Sequence, residues 1–128
     1  MRGRWLLFAL SFTLGCGSES RSPATVRGRV LFQGRPLAGG TVVFVPHPER
    51  GPAGKPAIAT LDSQGTFRLN VEGSPYIAAG WYRVALADAG RPETWVLFPA
   101  ALRRPDRSGL EREVLAGQDN VFEFQVEK

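Results

Sequence analysis

A chain of 128 residues holds one domain with a real core and is short for two. Its formal charge of +4 falls to fourteen basic against twelve acidic residues from position 16 onward. That balance is too even for the concentrated basic face that many phosphate contacts require, so nucleic acid is not an expected partner. One cysteine excludes an internal disulfide and one histidine excludes a site built from several. The fifteen glycines and ten prolines are scattered without period between apolar runs, which favours an all-β domain.

Residues 1–15, MRGRWLLFALSFTLG, carry two arginines, then an apolar run from Trp5 to Leu14. That run is too short for a hydrocarbon core, which needs about 20 helical residues, but it suits the central region of a secretory signal. The sole cysteine, Cys16, follows Leu14 and Gly15. This placement resembles the lipobox of bacterial lipoproteins, with Thr13 where that family usually has Leu. The resemblance implies acylation at Cys16 and attachment to the membrane by more than one acyl chain, enough to hold firmly. Gly17 stands where an Asp would suggest retention at the inner membrane, so by analogy the outer membrane is expected, on its periplasmic or surface face. Residues 17–24, GSESRSPA, have nothing to bury and read as a tether. Fully extended, such a segment reaches no more than about 29 Å. The expected organisation is therefore a signal peptide over 1–15, a lipid-anchored tether over 16–24 and a folded domain over 25–128.

The domain opens with TVRGRVLFQ, in which Val26, Gly28, Val30 and Phe32 share one parity and Arg27, Arg29 and Gln33 the other. This is the period-two signature of a half-buried strand, broken only by Leu31. Gly34, Arg35 and Pro36 are expected to stop the ladder and turn the chain into a second strand over 41–46, giving an opening hairpin. After a Pro/Gly-rich loop over 47–56 comes a strand over 57–62. A tight turn at 63–65 then leads to a strand over 66–71 with Phe67, Leu69 and Val71 on one side, a second hairpin.

A fifth strand is expected over 81–87, with Tyr82, Val84 and Leu86 facing the core. A short strand over 94–98, an irregular loop over 99–109 and a weak strand over 110–115 follow. The run over 121–127 alternates Phe122, Phe124 and Val126 with acidic and amide residues, the cleanest amphipathic strand in the chain. Phe67, Leu69, Val84, Phe122 and Phe124 are the expected core. About seven short strands with a turn every ten residues or so predict an antiparallel β-sandwich.

Val26-x-Gly28-x-Val30, Gly34-x-Pro36-Leu37, Asp62-x-x-Gly65-x-Phe67-x-Leu69, Gly80-x-Tyr82-x-Val84 and Asn120-x-Phe122 together resemble the carboxypeptidase regulatory-like, or transthyretin-like (prealbumin-like), domain. They are similar in particular to single-domain lipoproteins of planctomycete bacteria. The resemblance spans roughly 25–126 and implies a transthyretin-like sandwich. Its motifs are turn and core positions, which carry no activity.

Asp62 and Gly65 suit a turn better than calcium, since Asp62 is the sole acid of that loop and calcium takes six or more oxygens. His47 has no second histidine and no serine motif around it, and reads as a loop imidazole between prolines. The cluster over 103–107, RRPDR, reads as a solvated loop with anionic headgroups as the sharper alternative. Trp81 has outward parity, and with Tyr76 or Trp95 it could offer an aromatic platform to a sugar ring or an extended peptide. No catalytic residue, metal or cofactor is expected. The leading expectation is a non-enzymatic interaction or structural module in the bacterial cell envelope, its partner an envelope protein or a glycan. A carbohydrate- or peptide-binding accessory domain comes second. A small transthyretin-like hydrolase comes third, for want of a nucleophile and base.

Overall fold

The computed structural model describes residues 23–87 and 99–127. The expected strand over 94–98, with Trp95, and the signal and anchor residues, with Cys16, lie outside them. Within them the chain is all β: two four-stranded sheets pack face to face as a β-sandwich.

The first sheet is built on β1 (Thr25–Phe32), with β8 (Asp119–Val126) along one edge. The short strands β5 (Thr66–Arg68) and β2 (Arg35–Pro36) share its other edge end to end. The second sheet runs β4 (Ala57–Thr60), β3 (Thr41–Pro46), β6 (Gly80–Ala87), β7 (Leu110–Val114). A 3₁₀ turn at Ala100–Arg103 sets Leu102 into the core.

Three expectations are corrected. The opening hairpin does not pair 25–33 with 41–46. Gln33 and Gly34, at φ 54 and 82, make a turn tight enough for Arg35–Pro36 to pair back on Leu31 and Phe32. Pro36 is tolerated because β2 lies at a sheet edge. Leu37 then buries, and the chain crosses at Gly40, where a Cβ would come within 2.5 Å of the Ala87 carbonyl, so that β3 joins the other sheet. Second, the sandwich is not wholly antiparallel, since β1 and β8 run parallel from Thr25↔Asp119 to Phe32↔Val126. Third, Phe122 is half-buried at the margin of the core, whereas Phe67, Leu69, Val84 and Phe124 are buried as expected.

The expected second hairpin exists in a form that alternation alone does not describe. It closes at its turn, where the Asp62 N–H donates to the Thr66 carbonyl, and again at the Ile58–Asn70 bridge. Between those points its arms part, β4 to one sheet and β5 to the other. At the centre of the sandwich Phe44, fully buried, touches Phe67, Tyr82, Phe122 and Phe124 with ring centroids 5.9–6.4 Å apart. The Arg112 side chain, which shares the inward register of Tyr82, lies 4.5 Å over the Phe124 ring.

Candidate functional site

Three surfaces gather polar or aromatic side chains. The first is the outer face of the β4-β3-β6-β7 sheet. Trp81 lies there as its parity predicted, half-buried, with the Arg50 guanidinium 4.4 Å over its ring. Glu111, paired across strands with Arg83, receives the Arg50 Nη2 at 2.8 Å and faces Arg83 Nε at 3.9 Å. His47 Nε2 lies 3.8 Å from the same carboxylate.

His47 is buried, which its place between two prolines did not predict. Its Nδ1 accepts the backbone N–H groups of Glu49 and Arg50, so the ring proton belongs on Nε2, toward Glu111. Its own N–H donates to the Trp81 carbonyl. Both glutamate oxygens already face cations, and the arrangement fastens the 47–51 turn to β6 and β7.

The second surface is a groove of about 260 Å³ beside Tyr76, walled by Pro46, Pro52, Lys55 and Tyr82. Tyr76 itself is 59% exposed. Tyr82 projects from the opposite face of β6 to Trp81, and Trp81 does not line this groove. Of the three aromatics in the predicted platform, then, Trp81 and Tyr76 stand at separate places, and Trp95 lies outside the described residues. The Tyr82 hydroxyl donates to the Ala78 carbonyl at 2.6 Å, and burial pushes its pKa up to about 12.

The third surface is a half-open cleft of about 730 Å³ on the outer face of the β1 sheet. Alternation places Arg27 and Arg29 of β1, Thr66 and Arg68 of β5, and Val121 and Glu123 of β8 on that face. Arg27 Nε reaches Asp119 at 2.7 Å and Arg29 reaches Glu123 at 2.8 Å. Arg27 and Arg68 stand directly opposite one another, a like-charge pairing that opposes strand association. Arg27 turns to Asp119, while Arg68 makes no hydrogen bond among the described residues and acts on Asp119 through space. Hydrogen bonds from Arg27 and Thr25, with the charges of Arg27 and Arg68, hold the Asp119 carboxyl below its usual range. Asp62, on the rim, is also lowered, by the Thr66 hydroxyl and then by the backbone N–H groups of Thr66 and Gln64. Those contacts make it the capping residue of its turn, as its spacing to Gly65 predicted.

The RRPDR cluster begins in the 3₁₀ turn, and Arg104 Nε lies 3.7 Å from Asp106. Ser108 ties the segment to the Val84 carbonyl, midway along β6 and away from the end where Thr25 enters.

The Arg27–Arg29–Arg68 face was not singled out from the sequence, though alternating arginines in β1 facing Asp119 and Glu123 in the last strand were the available signal. Compared with family models, curated proteins and solved structures, the chain matches none.

Proposed function

We propose that the chain is a membrane-anchored lipoprotein of the bacterial cell envelope whose β-sandwich is a non-enzymatic interaction or structural module. The observation that carries this reading is the spacing between anchor and domain. The sole cysteine follows a short apolar run, and only eight residues separate it from the first strand at Thr25. We further assign the sandwich to the transthyretin-like, carboxypeptidase regulatory-like type. The motif residues support this in the positions they take: Val26 and Val30 are buried, and Gly28 admits no Cβ because one would run into the Phe122 carbonyl oxygen and crowd the Phe67 ring.

The face of the module best suited to a partner is the Arg27–Arg29–Arg68 cleft, where guanidinium and hydroxyl donors meet solvent. The reading of Trp81, Tyr76 and Trp95 as one glycan or peptide platform stands second, because Arg50 occupies one face of Trp81 and Tyr76 lines a different groove.

Replacing Cys16 with Ser and fractionating cells tests the anchor. The wild type is expected in the membrane fraction and the variant outside it, and equal membrane association of the two would sink the reading. Pull-down from solubilised envelope with wild type and Arg68→Glu then tests the module. A partner held by the first and lost by the second is expected.

A further inference from the structure

We propose that the end of the sandwich at which the chain enters is a lipid-facing surface, with Tyr76 and Leu115 seated among the headgroups of the bilayer. The proposal rests on the anchor at Cys16. Thr25 lies beside Asp119 and Gly80 beside Val114, so one end of the domain collects the start of β1, the loop before β6 and the loop after β7. These two loops grip the entering chain from either side. The Ile77 N–H donates to the Ala24 carbonyl at 2.9 Å. The Asn120 amide donates to the carbonyls of Thr25 and Leu115, while the Thr25 N–H donates to the Gln118 carbonyl. Tyr76 precedes Ile77 in the first loop, and Leu115 opens the second. The tether therefore leaves between them.

Both side chains are exposed, Tyr76 by 59% and Leu115 by 47%. Among the described residues the other large apolar side chains in the open, Ile58 and Val121, lie on the outer faces of the sheets. At the opposite end the turns present Gln33, Gly34, Asp62, Ser63 and Gln64. Among the described residues, then, the large exposed apolar side chains that do not lie on a sheet face are both at the tether side, beside the polar Glu72 and Gln118, the mixture expected of a surface seated at the headgroup level. Tyrosine, apolar in body and polar at its tip, is suited to the headgroup level.

The reach agrees. A relaxed eight-residue tether spans about 15 Å, so the surface it leaves from is held within touching distance of the lipid. Strands of eight residues are about 26 Å long, so the far end stands clear. Charge supplies little here, because Lys55 beside the Tyr76 groove is neutralised by Glu72 at 2.7 Å. The seating is apolar, and it should not depend on anionic lipid.

The test uses the full chain, exported and purified from membranes, then reconstituted into vesicles of phosphatidylethanolamine and phosphatidylglycerol. An acylated Cys16 has no thiol, so Tyr76→Cys, Leu115→Cys and Ser63→Cys each offer a single site for an environment-sensitive fluorophore. Because the far end stands about 26 Å away, spin-labelled lipid quenching near the headgroup should be at least about threefold stronger at 76 and 115 than at 63. Vesicles of phosphatidylcholine alone should give the same pattern. Equal quenching at all three positions would overturn the proposal and leave the anchor standing. Uptake of thiol label by the parent chain would show that Cys16 is not acylated, and both would fall. If Leu115→Cys does not fold, the exposed neighbour Ala116→Cys takes its place.

Discussion

Truncating Phe44 should cost more than truncating Phe122. Phe44 has no exposed surface and is ringed by Phe67, Tyr82, Phe122 and Phe124, so Phe44→Ala leaves a closed cavity in the middle of the sandwich. Large-to-small changes of this kind cost about 3 to 5 kcal/mol. Phe122 is partly exposed at the margin of the core, so it has less area to lose and leaves a notch that water can fill. At about 25 cal/mol per Å², and with no closed cavity added, the expected cost of Phe122→Ala is about 2 to 3 kcal/mol. A domain of this size is stable by about 5 to 15 kcal/mol, so both variants should remain measurable, and Phe44→Leu serves if Phe44→Ala does not. Urea unfolding of the Cys16→Ser chain, followed by tryptophan fluorescence, reads the difference as a shift in midpoint at constant slope. Equal costs for the two variants, or a loss below about 1 kcal/mol for Phe44→Ala, would refute the placement of the core.

Two further outcomes follow from buried polar contacts. The Tyr82 hydroxyl ionises at its ordinary value of 10.0 when unfolded and at about 12 when folded, so the stability it contributes is complete below pH 10 and is lost as pH rises through 12. That loss should approach about 2 kcal/mol. Tyr82→Phe should lower stability at neutral pH by about 1 kcal/mol through the hydrogen bond to Ala78, yet flatten the alkaline slope, and an unchanged slope would assign it to another group. Arg50 covers one face of Trp81, so Arg50→Ala in a Trp95→Phe background should raise iodide quenching of the remaining domain tryptophan while costing about 1 kcal/mol or less in stability. Unaltered quenching would mean that the guanidinium does not shield the ring.

What the sequence made legible was whatever repeated with period two. The last strand, with inward Phe124 and Val126 against outward Glu123 and Gln125, could be placed from alternation, and so could Tyr82 against Trp81. The β7 segment read as weak because its inward residues are Leu110, Arg112 and Val114. A cation on the core side breaks the apolar pattern, and the Phe124 ring beneath it and the Glu111 carbonyl, which accepts from its Nη1 at 2.8 Å, explain its presence, while burial lowers its pKa. Phe44, the centre of the core, lies in TVVFVP, where both parities are apolar and nothing marks which side faces in. Sheet membership was illegible for a different reason. A hairpin in sequence and a hairpin in one sheet are the same pattern of residues, and the parting of β4 from β5 is decided by packing on Phe44 and Phe67. His47 and Arg50 share one turn while Arg83 and Glu111 come from two distant strands, so the convergence of these three segments follows from the register of β6 and β7 and from no local spacing.

The parallel ladder between β1 and β8 has a consequence in time. Its partners stand 94 residues apart, as Thr25 and Asp119 do, and β1 is the middle strand of its sheet. A growing chain can form the 57–71 hairpin early, from neighbouring residues alone. The first strand, however, waits for the last to arrive before its sheet has a centre. Folding dominated by such distant closures runs on the scale of milliseconds to seconds. Under the export proposed above, a domain that cannot finish until its last strand is delivered would remain unfinished while it is threaded across a membrane, which is the state that passage requires.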